Sequence, residues 1–253
     1  MMIAAAALSV CLLAACGSSG SGSSSAQAQT EAAAESAEVT DTAESGGAGE
    51  AETSADTAAP ETEAGKEGSS ETAIMLPKGA FDISGDELVF ADIEIENYGT
   101  ITVALDKTIA PVTVKNFVNL ANEGFYDGLT FHRIMNGFMM QGGDPNGNGS
   151  GGSGTTIEGE FSSNGVVNPI THVAGAISMA RAKDPNSASS QFFIVQKDST
   201  FLDGNYAAFG YVISGQDIVD RICSDAKPTD SNGTIKDEEQ PIIRSITVRE
   251  NMQ

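Results

Sequence analysis

From Phe81 onward the chain sets short apolar runs between clusters of Gly, Asn, Asp and Pro, and the spacing within those runs predicts its elements. Residues 91–106, ADIEIENYGTITVALD, alternate apolar and polar positions around an Asn-Tyr-Gly turn, as a β-hairpin requires. The period then lengthens. Residues 108–124, TIAPVTVKNFVNLANEG, predict a helix with Pro111 near its first turn and Gly124 as its stop. Val114, Phe117, Val118 and Ala121 fall on one face of it. A second helix is predicted over GQDIVDRICSD, 215–225, where Ile218, Val219, Ile222 and Cys223 form the buried stripe. Cys223 therefore reads as a small core residue rather than a reactive thiol. LTFHRI, FMMQGGD, GAISMAR, SQFFIVQ, AAFGYVI and IRSITVRE read as strands. Many short strands with turn punctuation predict a mainly β fold, a closed barrel with two helices at its ends.

Residues 1–72 follow no such pattern and hold almost nothing that could form a core. Setting them aside leaves about 180 residues, a size suited to one compact domain, expected over 81–253. The apolar run at 3–15, IAAAALSVCLLAA, is shorter than the roughly 20 residues a membrane-spanning helix needs and reads as a secretory h-region. It ends in Leu13-Ala14-Ala15-Cys16-Gly17, which resembles the lipobox of bacterial lipoproteins, where cleavage before the cysteine exposes it for acylation. The expectation is a signal peptide over 1–15, a lipid anchor on Cys16 and an acidic linker over 16–75, with the domain on the extracytoplasmic side of a bacterial membrane. An ordinary signal peptide is the competing reading. No Lys or Arg precedes Lys66, so the basic n-region is missing, and a start further upstream would supply it. The linker, rich in Gly, Ser, Ala, Thr and Glu and without an aromatic residue, cannot bury enough apolar surface to offset ordering entropy, which predicts a disordered tether.

Charge narrows the function classes. The formal net charge is -22, and residues 17–72 carry twelve acids against Lys66 alone, so half of the excess lies in the linker. Nucleic acid is excluded as a partner, because phosphate-backbone affinity needs clustered Lys and Arg. Of three cysteines only Cys223 lies in the folded part, which excludes a disulfide framework there. With His132, His172 and Cys223 no metal-ligand spacing forms, and the sequence implies neither metal nor cofactor. DPNGNG, 144–149, matches the opening of a calcium loop, yet the twelfth position is Thr155 where a bidentate Glu is required, so it reads as a turn-rich loop. No Ser stands in a G-x-S-x-G context and no carboxylate pair lies near Arg133. What remains is an apolar set broken by single polar groups: Arg133, Phe138, Met139 and Gln141 in one segment, Gln191, Phe192 and Phe193 in another. Composition alone would make these alternating strand residues, with Arg133 snorkelling to water.

FHRIMNGFMMQGGDPNGNGSGG, GAISMARAKDPNSASSQFFIV and FLDGNYAAFGYV resemble, in the same order, the three signature stretches of the cyclophilin-type peptidyl-prolyl cis-trans isomerases. IAPVTVKNFVNLANEGFYDGLTFHRI is similar to the segment that precedes them in bacterial members, and the resemblance covers roughly 88–250. It implies an eight-stranded antiparallel barrel capped by two helices. It also implies Arg133 as the catalytic arginine, Gln141 as the residue that positions it, and Phe138, Met139, Phe193 and Leu202 as the lining of a proline pocket. Gln191 and the backbone at Ala180, Arg181 and Ala182 match the groove that binds the peptide. Phe201 stands where many eukaryotic members have tryptophan, which argues against tight cyclosporin binding; Tyr206 stands where they have histidine, and Arg181 replaces the usual asparagine. The resemblance further implies a monomer and proline-containing polypeptides as partners.

Such a reaction explains why no nucleophile is present. Rotating a peptide bond means overcoming a barrier of about 18–20 kcal/mol set by amide resonance, and no bond is made or cleaved. A site needs only to hold the proline ring and favour the twisted state, and an always-charged, forked guanidinium can do that without acid-base cycling. A pure binding module on the same fold is the competing class, although it would have less need of Arg133; an adhesin reading rests on the tether alone. Strand alternation turns His132 away from Arg133, and both His132 and His172 read as structural.

Overall fold

The hairpin is where the pattern placed it. In a computed structural model, which describes residues 74–83 and 88–250, β1 (Leu88–Ile95) pairs antiparallel with β2 (Gly99–Asp106). Asn97 takes the turn's positive φ of 64°, which a short amide side chain tolerates. There follow α1 (Pro111–Asn122), β3 (Arg133–Met135), β4 (Met139–Gly142), β5 (Ala176–Met179), β6 (Phe192–Val195), β7 (Ala208–Ser214), α2 (Gln216–Asp225) and β8 (Ile243–Arg249). Pro111 opens α1 and Gly124, at φ +69°, follows its end. On α1, Thr113 and Leu120 are buried while Val118 is only half-buried; on α2, Val219, Ile222 and Cys223 are buried and Ile218 half-buried.

All eight strands join one antiparallel sheet in the order β3-β4-β6-β5-β7-β2-β1-β8. The mainly β fold with two helices is as expected, but the word closed needs correcting. The end strands β3 and β8 share no ladder, so the sheet is a curled half-barrel. Its seam is stitched by isolated bridges, Thr130 to Ile242 and Arg133 to Thr234, and by Phe131 N–H donating to Pro241 O at 2.9 Å. Phe131, which faces Pro241, gets no N–H back from it, and β3 itself faces residues 233–235 rather than β8, with Ile134 N–H donating to Gly233 O at 2.8 Å.

Side-chain alternation divides the core into two. Phe192, Ile194, Met140, Ile134 and Ile177 face inward with Val114 and Phe117 of α1 and Val219 and Ile222 of α2. Phe193, Val195 and Met139, their neighbours in sequence, face the other way and pack with Ala208, Phe90, Tyr211 and Leu202. Residues 74–83 lie across this second cluster: Ile83 is buried, and Ile74, Leu76 and Ala80 pack against it. Among the described residues, packing thus extends at least as far back as Ile74, ahead of Phe81. The expected signal peptide, Cys16 and nearly all of the linker lie outside the described residues.

Candidate active site

Cross-strand register builds the site. Arg133 on β3 sits opposite Gln141 on β4, Gln141 opposite Phe193 on β6, and Phe193 opposite Ser178 on β5. The period of two keeps this row on the outer face of the sheet, away from the helices. Along it runs a chain of hydrogen bonds. Arg133 Nη1 donates to Gln141 Oε1 at 3.2 Å, and Gln141 Nε2 donates to Gln191 Oε1 at 2.9 Å. Gln191 Nε2 then donates to the carbonyls of Gly149 (3.0 Å) and Gly151 (2.8 Å). Both glutamines are buried, so each amide is committed to this direction by the cost of leaving a polar group unpaired.

The loop that ends the chain of bonds is organised by Asp144. Its carboxylate accepts from the backbone N–H groups of Asn146 (2.9 Å), Asn148 (3.1 Å) and Gly149 (2.6 Å). The segment that resembled half a calcium loop is a folded turn whose acid is occupied by backbone donors, and no metal-holding group of His, Cys, Asp and Glu forms among the described residues.

Arg133 is half-buried and held on several sides. Its Nε donates to Asn232 O at 2.7 Å, while Nη2 lies 3.3 Å from Met135 Sδ and Nη1 4.0 Å from Met139 Sδ. Burial lowers its pKa, with Tyr206 and Asp230 pulling in the opposite direction; a guanidinium remains charged under such a shift. The result is a fixed cation whose nearest partners are neutral.

Beside it opens a cavity of about 260 Å³ lined by Arg133, Phe138, Met139, Gln141, Gln191, Phe193, Leu202 and Tyr206, with Ala180, Arg181 and Ala182 along one wall. The sequence-derived site residues therefore converge, with one exception within the described part. Phe201 is 67% exposed and stacks beside Phe138, ring centroids 5.6 Å apart, without lining the cavity. Tyr206 meets Phe193 edge-on at 5.9 Å. The Arg181 guanidinium lies over the rings of both Tyr206 and Phe161, 4.7 and 5.1 Å from their centroids.

Several lining residues went unread in the sequence: Gly149, Ser150 and Gly151 on one side, Ser187 and Ser189 on another. A turn-rich loop carries no periodic signal of what it folds against; its bonds to Gln191 and Ser189 bring it to the site. His172 was read as structural, and the structure gives it a specific task. Its ring stacks on Phe193 at 6.0 Å and 16°, with Nδ1 2.7 Å from Asp203 Oδ1 and Nε2 3.0 Å from Ser178 Oγ. It backs the ring at the base of the cavity and ties it to the residue after Leu202.

A model of the family described as "Cyclophilin type peptidyl-prolyl cis-trans isomerase/CLD" matches residues 90–248. The chain is 50% identical over 121 residues to peptidyl-prolyl cis-trans isomerase B of Bacillus subtilis, covering 48% of this chain and 81% of that one. It is 41% identical over 161 residues to peptidyl-prolyl cis-trans isomerase-like 1 of Neurospora crassa, covering 63% and 95%. Among solved structures, a cyclophilin-type peptidyl-prolyl cis-trans isomerase of Cryptosporidium parvum superposes with a TM-score of 0.57 at 31% identity, over 65% of this chain and 99% of that one. A second structure of that protein, in the presence of the dipeptide Ala-Pro, gives 0.56 at 31% identity over 64% and 99%.

Proposed function

The chain belongs to the cyclophilin-type peptidyl-prolyl cis-trans isomerase family, and from that premise we propose how its own residues act and where. The reaction is rotation about X-Pro bonds, which interconvert unaided over tens to hundreds of seconds at ~25 °C. Proline-containing segments are the substrate, a reading supported by the similar Cryptosporidium parvum protein, whose structure was solved in the presence of the dipeptide Ala-Pro. Phe138, Met139, Phe193 and Leu202 grip the proline ring, and Ala180 to Ala182 with Gln191 hold the flanking backbone. Arg133 donates to the imide nitrogen or the adjoining carbonyl as resonance is lost. Twisting returns a lone pair to that nitrogen, so the donation is stronger in the transition state than in either ground state, which is what accelerates a reaction. Each ~1.4 kcal/mol of such difference is a factor of ten.

The observation that carries this reading is the guanidinium at the cavity wall, fixed by Asn232 O and Gln141 rather than by a carboxylate. A neutral cradle leaves its charge for the substrate. Arg133→Ala is expected to lower kcat/KM for an X-Pro peptide by about a hundredfold or more, the loss typical of one aimed donor, with unchanged far-UV circular dichroism. An Ala variant as active as the parent would overturn the mechanism, and NMR exchange of cis and trans peptide resonances measures it directly.

The substrates are proposed to be secreted or surface proteins, with the isomerase held on the extracytoplasmic face of a bacterial membrane by a lipid on Cys16. Supporting this are Leu13-Ala14-Ala15-Cys16 and the acidic linker after it. Metabolic fatty-acid labelling with fractionation is expected to show the parent in membranes and Cys16→Ala in the soluble fraction; unchanged membrane association of the variant would refute the anchor.

A further inference from the structure

The cavity is cationic in an acidic chain. Two guanidinium groups line it, Arg133 and Arg181, and no Asp or Glu does. Neither arginine has an ion-pair partner among the described residues. Asp184, three residues from Arg181, accepts from the Asn186 N–H at 2.9 Å, and Asp203, two residues from Asn205, accepts from the His172 N–H at 2.8 Å. Asp230, close enough to act on Arg133, accepts from Asn232, Thr234 and its hydroxyl, outside the cavity lining.

Arg181 is the more telling of the two because its position is fixed without being neutralised. Nε and Nη2 both donate to Asn205 O, at 3.0 and 2.8 Å, and Nη1 donates to Ala182 O at 3.0 Å. The rings of Tyr206 and Phe161 both lie within cation–π distance of it, at 4.7 and 5.1 Å. A guanidinium has five N–H donors, so those three contacts leave one on Nη1 and one on Nη2 for an incoming group. The side chain is ordered before any ligand arrives, and a carboxylate that binds there meets no further ordering cost. The chain's net charge of -22 does not cancel this. At physiological ionic strength charges beyond about 8 Å are largely screened, and half of the excess lies in the linker.

Resting on the isomerase reading of the same cavity, we propose that Arg181 is a specificity-determining residue that selects X-Pro segments carrying an acidic side chain beside the proline. For charges ~7 Å apart at an effective dielectric between protein surface and water, exchanging an acidic for a basic neighbour corresponds to roughly tenfold in kcat/KM.

The test is NMR exchange kinetics on peptides that differ in one residue, Glu, Ala or Lys, placed immediately before or immediately after the proline. At about 20 mM salt, where screening is weak, the parent is expected to favour Glu over Lys by roughly tenfold at one of the two positions, and the ratio should fall towards one as salt is raised. Arg181→Gln should cut that ratio several-fold, whereas Arg181→Lys, which keeps the charge and loses the fork, should retain most of it. A purely structural role would slow all peptides alike and leave the ratio untouched. Exchange catalysed on every peptide with a Glu-to-Lys ratio near one, or a ratio indifferent to salt or to Arg181→Gln, overturns the selectivity and leaves the isomerase standing. No catalysed exchange on any peptide overturns both. Should Arg181→Gln fail to fold, Arg181→Asn, which places there the residue usual in similar sequences, takes its place with the same expected cut in the ratio.

Discussion

His132 is only 4% exposed, and neither ring nitrogen has a hydrogen-bond partner among the described residues. Burial pushes its pKa down to about 4; Asp144 opposes the shift and Arg133 adds to it. The folded state therefore resists protonation that the unfolded chain accepts near 6.5. Between those values the unfolded chain binds more protons, so stability is intact above pH ~6.5 and is lost as pH falls towards ~4, by about 3 kcal/mol in all. His132→Phe is expected to flatten the acid side of a plot of Tm against pH over that window; an unchanged slope would remove His132 as the cause. His172 titrates low for the same first reason, burial, but is held against Asp203, which opposes the shift. Alternation along the strand sufficed to turn His132 away from Arg133. Nothing in the sequence marks His172 as the plate behind Phe193, since that contact joins a loop residue ahead of β5 to a residue on β6.

At the scale of elements, α1 shows how a helix legible from its own period still depends on a distant residue. Pro111, the apolar face and Gly124 are all local signals, and the helix runs between them. Its N-terminus has no local side-chain cap, because Ala110 offers none. The cap comes from Glu160, whose two carboxylate oxygens accept from Val112 N–H at 3.0 Å and Thr113 N–H at 2.8 Å. A buried anion at the positive end of a helix satisfies donors that would otherwise be unpaired. Glu160→Ala is expected to lower stability by about 1–2 kcal/mol, seen as a lower denaturant midpoint at unchanged m-value; an unaltered midpoint would show that the cap contributes nothing. The loop around Asp144 makes the same point from the other side, for its Gly and Asn content announces turns but not that Gly149 and Gly151 end at Gln191.

In the whole molecule the outer cluster joins the site to the segment that leads into the domain. Tyr211 is fully buried, and its hydroxyl accepts from Phe81 N–H and Thr171 N–H and donates to Thr171 O, all at 3.0 Å. Tyr211→Phe leaves those two amides unpaired and is expected to cost about 1–3 kcal/mol. Faster hydrogen exchange at Phe81 and Thr171 would register it; undiminished protection at Phe81 would show that residues 74–83 are held by their apolar contacts alone. The sequence by itself determined the alternation of strands, the two helices and, through three ordered stretches, the family and the identity of the residues that meet at the cavity. Those are local properties, because period, turn residues and motif order are written along one stretch at a time. Tertiary structure alone decided that the sheet stays open at β3 and β8, that Phe201 falls outside the cavity, that Glu160 caps α1, and that Arg181 lies clamped at the cavity wall with its charge unpaired. Each of those joins residues far apart in the chain, where sequence spacing sets neither distance nor direction.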